Sequence, residues 1–140
     1  MKNNFFIVFF FFFFLFFDNL SAQQLEINSS KVKYDDINKI TIFEGNVNSV
    51  DDKGNKLFSD YAEYNKIKGL IKTKGDTQIE TSAGYKVLSK DVVFDSKKQI
   101  IFSNKKTRIE DNDGNNILVE MFNYSTSSNI FFSKGKIKII

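Results

Sequence analysis

Residues 58–79 read FSDYAEYNKIKGLIKTKGDTQI. Two runs of alternating apolar and polar residues, rich in aromatic and β-branched types, flank the polar stretch Asn65-Lys66-Ile67-Lys68-Gly69. That composition predicts a β-hairpin with a short turn. Its landmarks recur along the chain. Tyr64 has counterparts at Tyr34, Phe94 and Tyr124, and Leu70 at Ile40, Ile100 and Ile130, always thirty residues apart. Gly54, Gly84 and Gly114 keep the same step, as do Leu57, Val87 and Ile117. Gly45, Gly75 and Gly135 share a phase, with Lys105 in the missing place. Ile79, Ile109 and Ile139 share another, with Ser49 in the first unit. A fixed period of this size marks a body built by stacking one supersecondary unit.

Each unit is predicted to hold a shorter strand (57–64, 87–94, 117–124) and a longer one (70–80, 99–110, 130–140). Between units, DDKGNK (51–56), TSAGYK (81–86) and DNDGNN (111–116) place a Gly where a turn needs positive φ. No segment shows a sustained helical period, so the expectation is about eight strands in one all-β body. In the second strands the odd positions, Ile71, Thr73, Gly75, Thr77 and Ile79 with their repeats, alternate with charged or amide residues. In the first strands the apolar set falls on even positions: Phe58, Ala62, Tyr64; Leu88, Val92, Phe94; Leu118, Phe122, Tyr124. Facing each other, the two sets enclose a core. The small residues in its middle either mark close backbone approach or leave an apolar trough between two sheets.

Composition places this body outside the cytoplasm. Residues 1–22 carry Lys2, a 13-residue apolar run from Phe5 to Phe17 and a small residue at Ala22. This is the layout of a secretory signal peptide cut between Ala22 and Gln23. A membrane anchor is the other reading, which a run shorter than the roughly 20 residues of a bilayer span disfavours. Ten of the 17 Phe lie in that segment, so residues 23–140 are more polar than the whole chain of 140. They form one domain with a net charge of +3, mildly basic and compatible with an anionic partner. Cys is absent, so stability rests on sheet packing rather than disulfides.

The missing residue types exclude much chemistry. With neither His nor Cys in the chain, the usual general bases, thiol nucleophiles and zinc ligands are lacking. No catalytic residue, metal site or cofactor is expected, and the chain is read as a non-enzyme. Asp51, Asp52, Asp111 and Asp113 sit in turns, where Asp bonds its own backbone. DNDG at 111–114 lacks the later Glu of a calcium loop. The lysines are spread along strands without an aromatic-and-basic groove, which speaks against a nucleic-acid partner.

The stretch ITIFEGNVNSVDDKGNKLFSDYAEYNKIKGLIKTKGDTQIE (40–80) resembles the OstA-like domain of the lipopolysaccharide-transport proteins, found as periplasmic LptA and as the N-terminal part of LptD. The resemblance falls on Gly45-Asn46-Val47, Gly54, Leu57 to Tyr64-Asn65 and Gly75-Asp76-Thr77. It weakens at Lys105-Lys106-Thr107 and at Gly135-Lys136-Ile137. It implies an antiparallel β-jellyroll in the periplasm, or associated with the outer membrane, that stacks edge to edge with other OstA-like jellyrolls. Lipopolysaccharide is the implied partner, its lipid A acyl chains held inside and its sugars outside. On that reading the lipid groove is lined by Phe58, Ile71, Ile79, Leu88, Val92, Ile101, Ile109, Leu118, Phe122, Phe131 and Ile139. Eight strands are fewer than such domains usually have, so a short LptA-type protein and an N-terminal piece of an LptD-type chain are both open, the unfinished last unit leaning toward truncation. An exported structural or adhesive β-repeat protein without lipid cargo is the competing reading.

Overall fold

The computed structural model describes residues 25–140; the segment read as a signal peptide lies outside them. Twelve strands follow in order: β1 (Glu26–Asn28), β2 (Lys31–Asp35), β3 (Ile40–Val50), β4 (Lys56–Asn65), β5 (Leu70–Thr73), β6 (Asp76–Glu80), β7 (Lys86–Lys90), β8 (Val93–Asp95), β9 (Ile100–Ser103), β10 (Thr107–Glu110), β11 (Asn116–Ser125) and β12 (Ile130–Ile139). They make eight passes of the chain, because β1 with β2, β5 with β6, β7 with β8 and β9 with β10 are single runs broken in the middle. All neighbours pair antiparallel.

The breaks fall in line and divide the sheet into two halves. One half runs β2–β3–β4–β5–β8–β9–β11–β12, the other β1–β3–β4–β6–β7–β10–β11–β12. Every pass therefore crosses from one half to the other at a common crease. At Gly75 the crease requires φ +82°, which costs Gly little and other residues strain. Its N–H donates to Asp91 Oδ1 at 2.9 Å, and the Asp91 N–H donates back to its carbonyl at 3.1 Å. In β3 the bend is a bulge at Gly45 and Asn46, and β11 shifts register between Val119 and Met121, the usual device for turning a strand sharply.

The thirty-residue period equals two passes, so repeated residues share a rung. One inward rung reads Tyr34–Thr41–Tyr64–Ile71–Phe94–Ile101–Tyr124–Phe131. In the other half the matching rung reads Ile27–Ser49–Leu57–Ile79–Val87–Ile109–Ile117–Ile139. The buried core lies between these rungs, and Ala62, Val87 and Val92 are fully covered.

The first strands change phase at the crease, which corrects the even-numbered set expected from the sequence. Leu57 and Ser59 are buried before it and Ala62 after it. From Ser59 to Ala62 is an odd number of steps, while the facing pass spans Thr77 to Thr73, an even number. The second strands thus keep one parity and the first strands swap. Phe58, Leu88 and Leu118 consequently belong to an outward rung with Asn48, Gln78, Arg108 and Lys138.

Candidate functional site

The space between the two half-sheets is the place to look for cargo, and its cross-section has three parts. At the crease sit small hydroxyl residues. Thr73 and Thr77 share a hydrogen bond of 2.7 Å across the Gly75 bend, and Ser89 and Thr107 share one of the same length between passes. Thr73 Oγ1 also accepts the Val92 N–H at 2.9 Å. All four residues are buried, so their hydroxyls satisfy one another in place of water. The hydroxyl residues of the crease are thus buried and mutually bonded, whereas a Cβ at Gly75 would meet nothing within 4 Å, so its positive φ is what that position needs.

Beyond the crease lies an aliphatic and aromatic layer. Ile71, Phe94, Ile101, Phe122 and Tyr124 from one half pack with Leu57, Ile79, Val87 and Ile109 from the other in one cluster. Burial pushes the Tyr124 phenol above its ordinary value, and its hydroxyl donates to Asn129 Oδ1 at 2.8 Å.

The far side is closed by a seam of turns. Lys53 Nζ, at the β3–β4 turn, donates to Gln99 Oε1 at 2.6 Å and to the Thr126 carbonyl at 3.2 Å. Asn55 locks that turn by donating from its backbone and its side chain to the two Asp51 oxygens, each at 2.8 Å. Its own side-chain oxygen accepts the Ser82 N–H. Tyr85 stacks edge-on against Phe131 with ring centroids 5.0 Å apart. The interior is thus a packed hoop, with its ends at the outermost passes. There the inward residues become accessible: Tyr34 is 62% exposed at one end and Ile139 72% at the other.

Of the residues named for a lipid groove, Ile71, Ile79, Val92, Ile101, Ile109 and Phe122 lie buried inside, and Phe131 is half-buried against them. Phe58, Leu88 and Leu118 point outward, with Leu88 40% exposed. Ile139 is on the inward rung but at its open end. Sequence reading missed the inward partners Leu57, Val87 and Ile117, although their thirty-residue spacing was plain. It also missed the seam. Its one sequence signal was the Asp-to-Asn spacing shared by Asp51–Asn55 and Asp111–Asn115, which form the same turn lock. Among the described residues no group of three or more acidic side chains converges to hold a metal.

No protein-family model matches the sequence, and no match is found among curated proteins. The fold does have a match. LptH of Pseudomonas aeruginosa, the LptA-homologous periplasmic component of that organism's lipopolysaccharide-transport device, superimposes with a TM-score of 0.72. The alignment covers 84% of this chain and 94% of that one at 13% identity. This chain has the LptH fold. The all-β body expected from the repeat, and the antiparallel β-jellyroll that the family resemblance implied, are the architecture observed, and the crease, core and seam above are how this sequence builds an LptH-like body.

Proposed function

We propose that this chain is a periplasmic lipopolysaccharide-transport module whose interior receives lipid A acyl chains. The observation that carries the proposal is a continuous apolar interior, reached at both end passes, in a fold shared with a periplasmic component of lipopolysaccharide transport. Ile71, Ile79, Val92, Ile101, Ile109, Phe122 and Phe131 are the residues proposed to touch lipid. Each buried methylene contributes about 0.8 kcal/mol, so affinity needs no polar contact inside. Acyl chains enter by parting the seam, which is held by the bonds of Lys53 to Gln99 and Thr126 and by the Tyr85–Phe131 contact. Export runs through the N-terminal segment, cut after Ala22. Other jellyrolls of the same kind join at the outer passes, where among the described residues β12 pairs only with β11, and β1 and β2 only with β3.

A photo-crosslinking residue at Ile101, which faces the interior, is expected to capture lipopolysaccharide in cells. One at Phe102, facing outward from the same strand, is expected to capture none, and the captured protein should begin at Gln23. Equal capture at both positions, or none at Ile101, refutes the carrier reading. One observation favours the second reading, an exported structural repeat: the middle passes are filled, with Ala62, Val87 and Val92 wholly covered. A protein that captures nothing at Ile101 yet assembles at its edges is the outcome that reading requires.

A further inference from the structure

The outward rung of the second half-sheet has no part in the interior. Its thirty-residue step sets Phe58, Leu88 and Leu118 alternately with Gln78, Arg108 and Lys138. Over β7, β10, β11 and β12 this face opens into a cleft of about 490 Å³. That volume lies within the range of small-ligand sites. Leu88 and Leu118 make its floor, and Lys106, Arg108, Lys136 and Lys138 rise around them.

Among the described residues, none of these four cations pairs with a carboxylate. The ion pairs elsewhere are Lys31 and Lys33 with Glu44, Lys39 with Asp36, Lys90 with Asp76, Lys98 with Asp95 and Lys105 with Asp91. The one acid lining the cleft, Glu120, lies against Gly135, where the missing Cβ leaves it room. Four cations thus line the apolar floor against a single carboxylate, Glu120, with which none of them is paired. An anion carrying an apolar tail relieves both features at once.

We propose that this cleft binds one anionic lipid molecule, its phosphate among Arg108, Lys106, Lys136 and Lys138 and its first methylenes on Leu88 and Leu118. A single lipid suits the face better than a flat bilayer. Asp60, Asp76 and Glu80 stand outward on neighbouring β4 and β6, and a bilayer laid across the sheet would meet them. The site lies outside the hoop and does not depend on the carrier reading.

The test uses the purified full chain with a photo-crosslinker at Leu118. Lysophosphatidylglycerol and zwitterionic lysophosphatidylcholine of equal chain length serve as probes, each below its micelle concentration. Capture of the anionic probe is expected to exceed that of the zwitterionic one by roughly tenfold at low salt. In the Arg108→Gln/Lys136→Gln/Lys138→Gln variant it should fall to the zwitterionic level. All three side chains are exposed, so an unchanged thermal melt is expected to accompany that loss. Equal capture of both probes, or capture that survives the triple substitution, overturns the proposal. Displacement by equimolar inorganic phosphate or by an acidic peptide also overturns it, by making the cleft a plain anion or protein-docking site. Loss of capture at Ile101 with capture kept at Leu118 sinks the carrier reading alone, and the reverse result sinks this one alone.

Discussion

Phe94 and Tyr34 occupy equivalent places in the repeat and lie on the same inward rung, yet the jellyroll treats them differently. Phe94 is flanked on its rung by Ile71 and Ile101 and is 4% exposed, whereas Tyr34 lies on the edge strand β2. Replacing Phe94 by Ala removes a buried ring that the packed hoop cannot refill, at a cost of about 3–5 kcal/mol. For a domain of this size 1 kcal/mol moves the melting temperature by about 4 °C, so a drop of roughly 12–20 °C is expected. Tyr34→Ala deletes a mostly solvated ring and should cost less than about 1 kcal/mol. Urea unfolding followed by far-UV circular dichroism measures both, with unchanged m-values showing that the unfolding unit stays the same. A loss at Phe94 no larger than at Tyr34 refutes the reasoning, because it would mean that the rung is not closed around Phe94.

Two further outcomes follow from hydrogen bonds. Thr73→Val strips the acceptor from the buried Val92 N–H and should cost about 1–3 kcal/mol, more than Thr77→Val, whose loss leaves Thr73 still bonded to Val92; equal losses in urea melts would contradict the crease geometry. On the acid side, the hydrogen bond from Lys33 holds Glu44 below its ordinary 4.5. Backbone and side-chain bonds from Asn38 hold Asp35 below 3.8, and the Asn115 side chain and backbone do the same for Asp111. In each case the unfolded carboxyl takes its proton first, so stability is full above the ordinary values and declines as pH falls through the lowered ones. Tyr61 does the reverse: its bond to Glu63 pushes it up to about 12 from 10.0, so its contribution is full below 10.0 and disappears as pH rises through about 12. Midpoints of urea unfolding across pH check both limbs, and Tyr61→Phe should flatten the alkaline one; an unaltered alkaline limb in that variant refutes the assignment.

The thirty-residue step was legible because two antiparallel passes return each residue to its own rung, and rung identity is a property of spacing. Tyr64, Phe94 and Tyr124 could therefore be aligned from sequence, as could the alternation that buries Ile71, Ile79, Ile101 and Ile109. Turn chemistry was legible too, since the Asp51 and Asp111 locks and the Gly turns are local. Which side of a strand faces inward was not always so. Phe58, Leu88 and Leu118 look like core residues beside Ala62, Val92 and Phe122. Their exclusion depends on how many residues each pass spends crossing the crease, and that is settled by the facing pass, where Ser59 meets Thr77 and Ala62 meets Thr73. The seam is likewise decided in three dimensions. Lys53 meets Gln99 and Thr126 only after the two half-sheets have folded toward each other, and no local pattern announces a hydrogen bond across 46 or 73 residues. The cationic cleft shares this origin. Lys106 and Arg108 on one pass and Lys136 and Lys138 two passes on are spread singly through the sequence, and only strand pairing gathers them around Leu88 and Leu118. Periodicity reaches as far as the rung; the bend of the sheet decides which rungs meet.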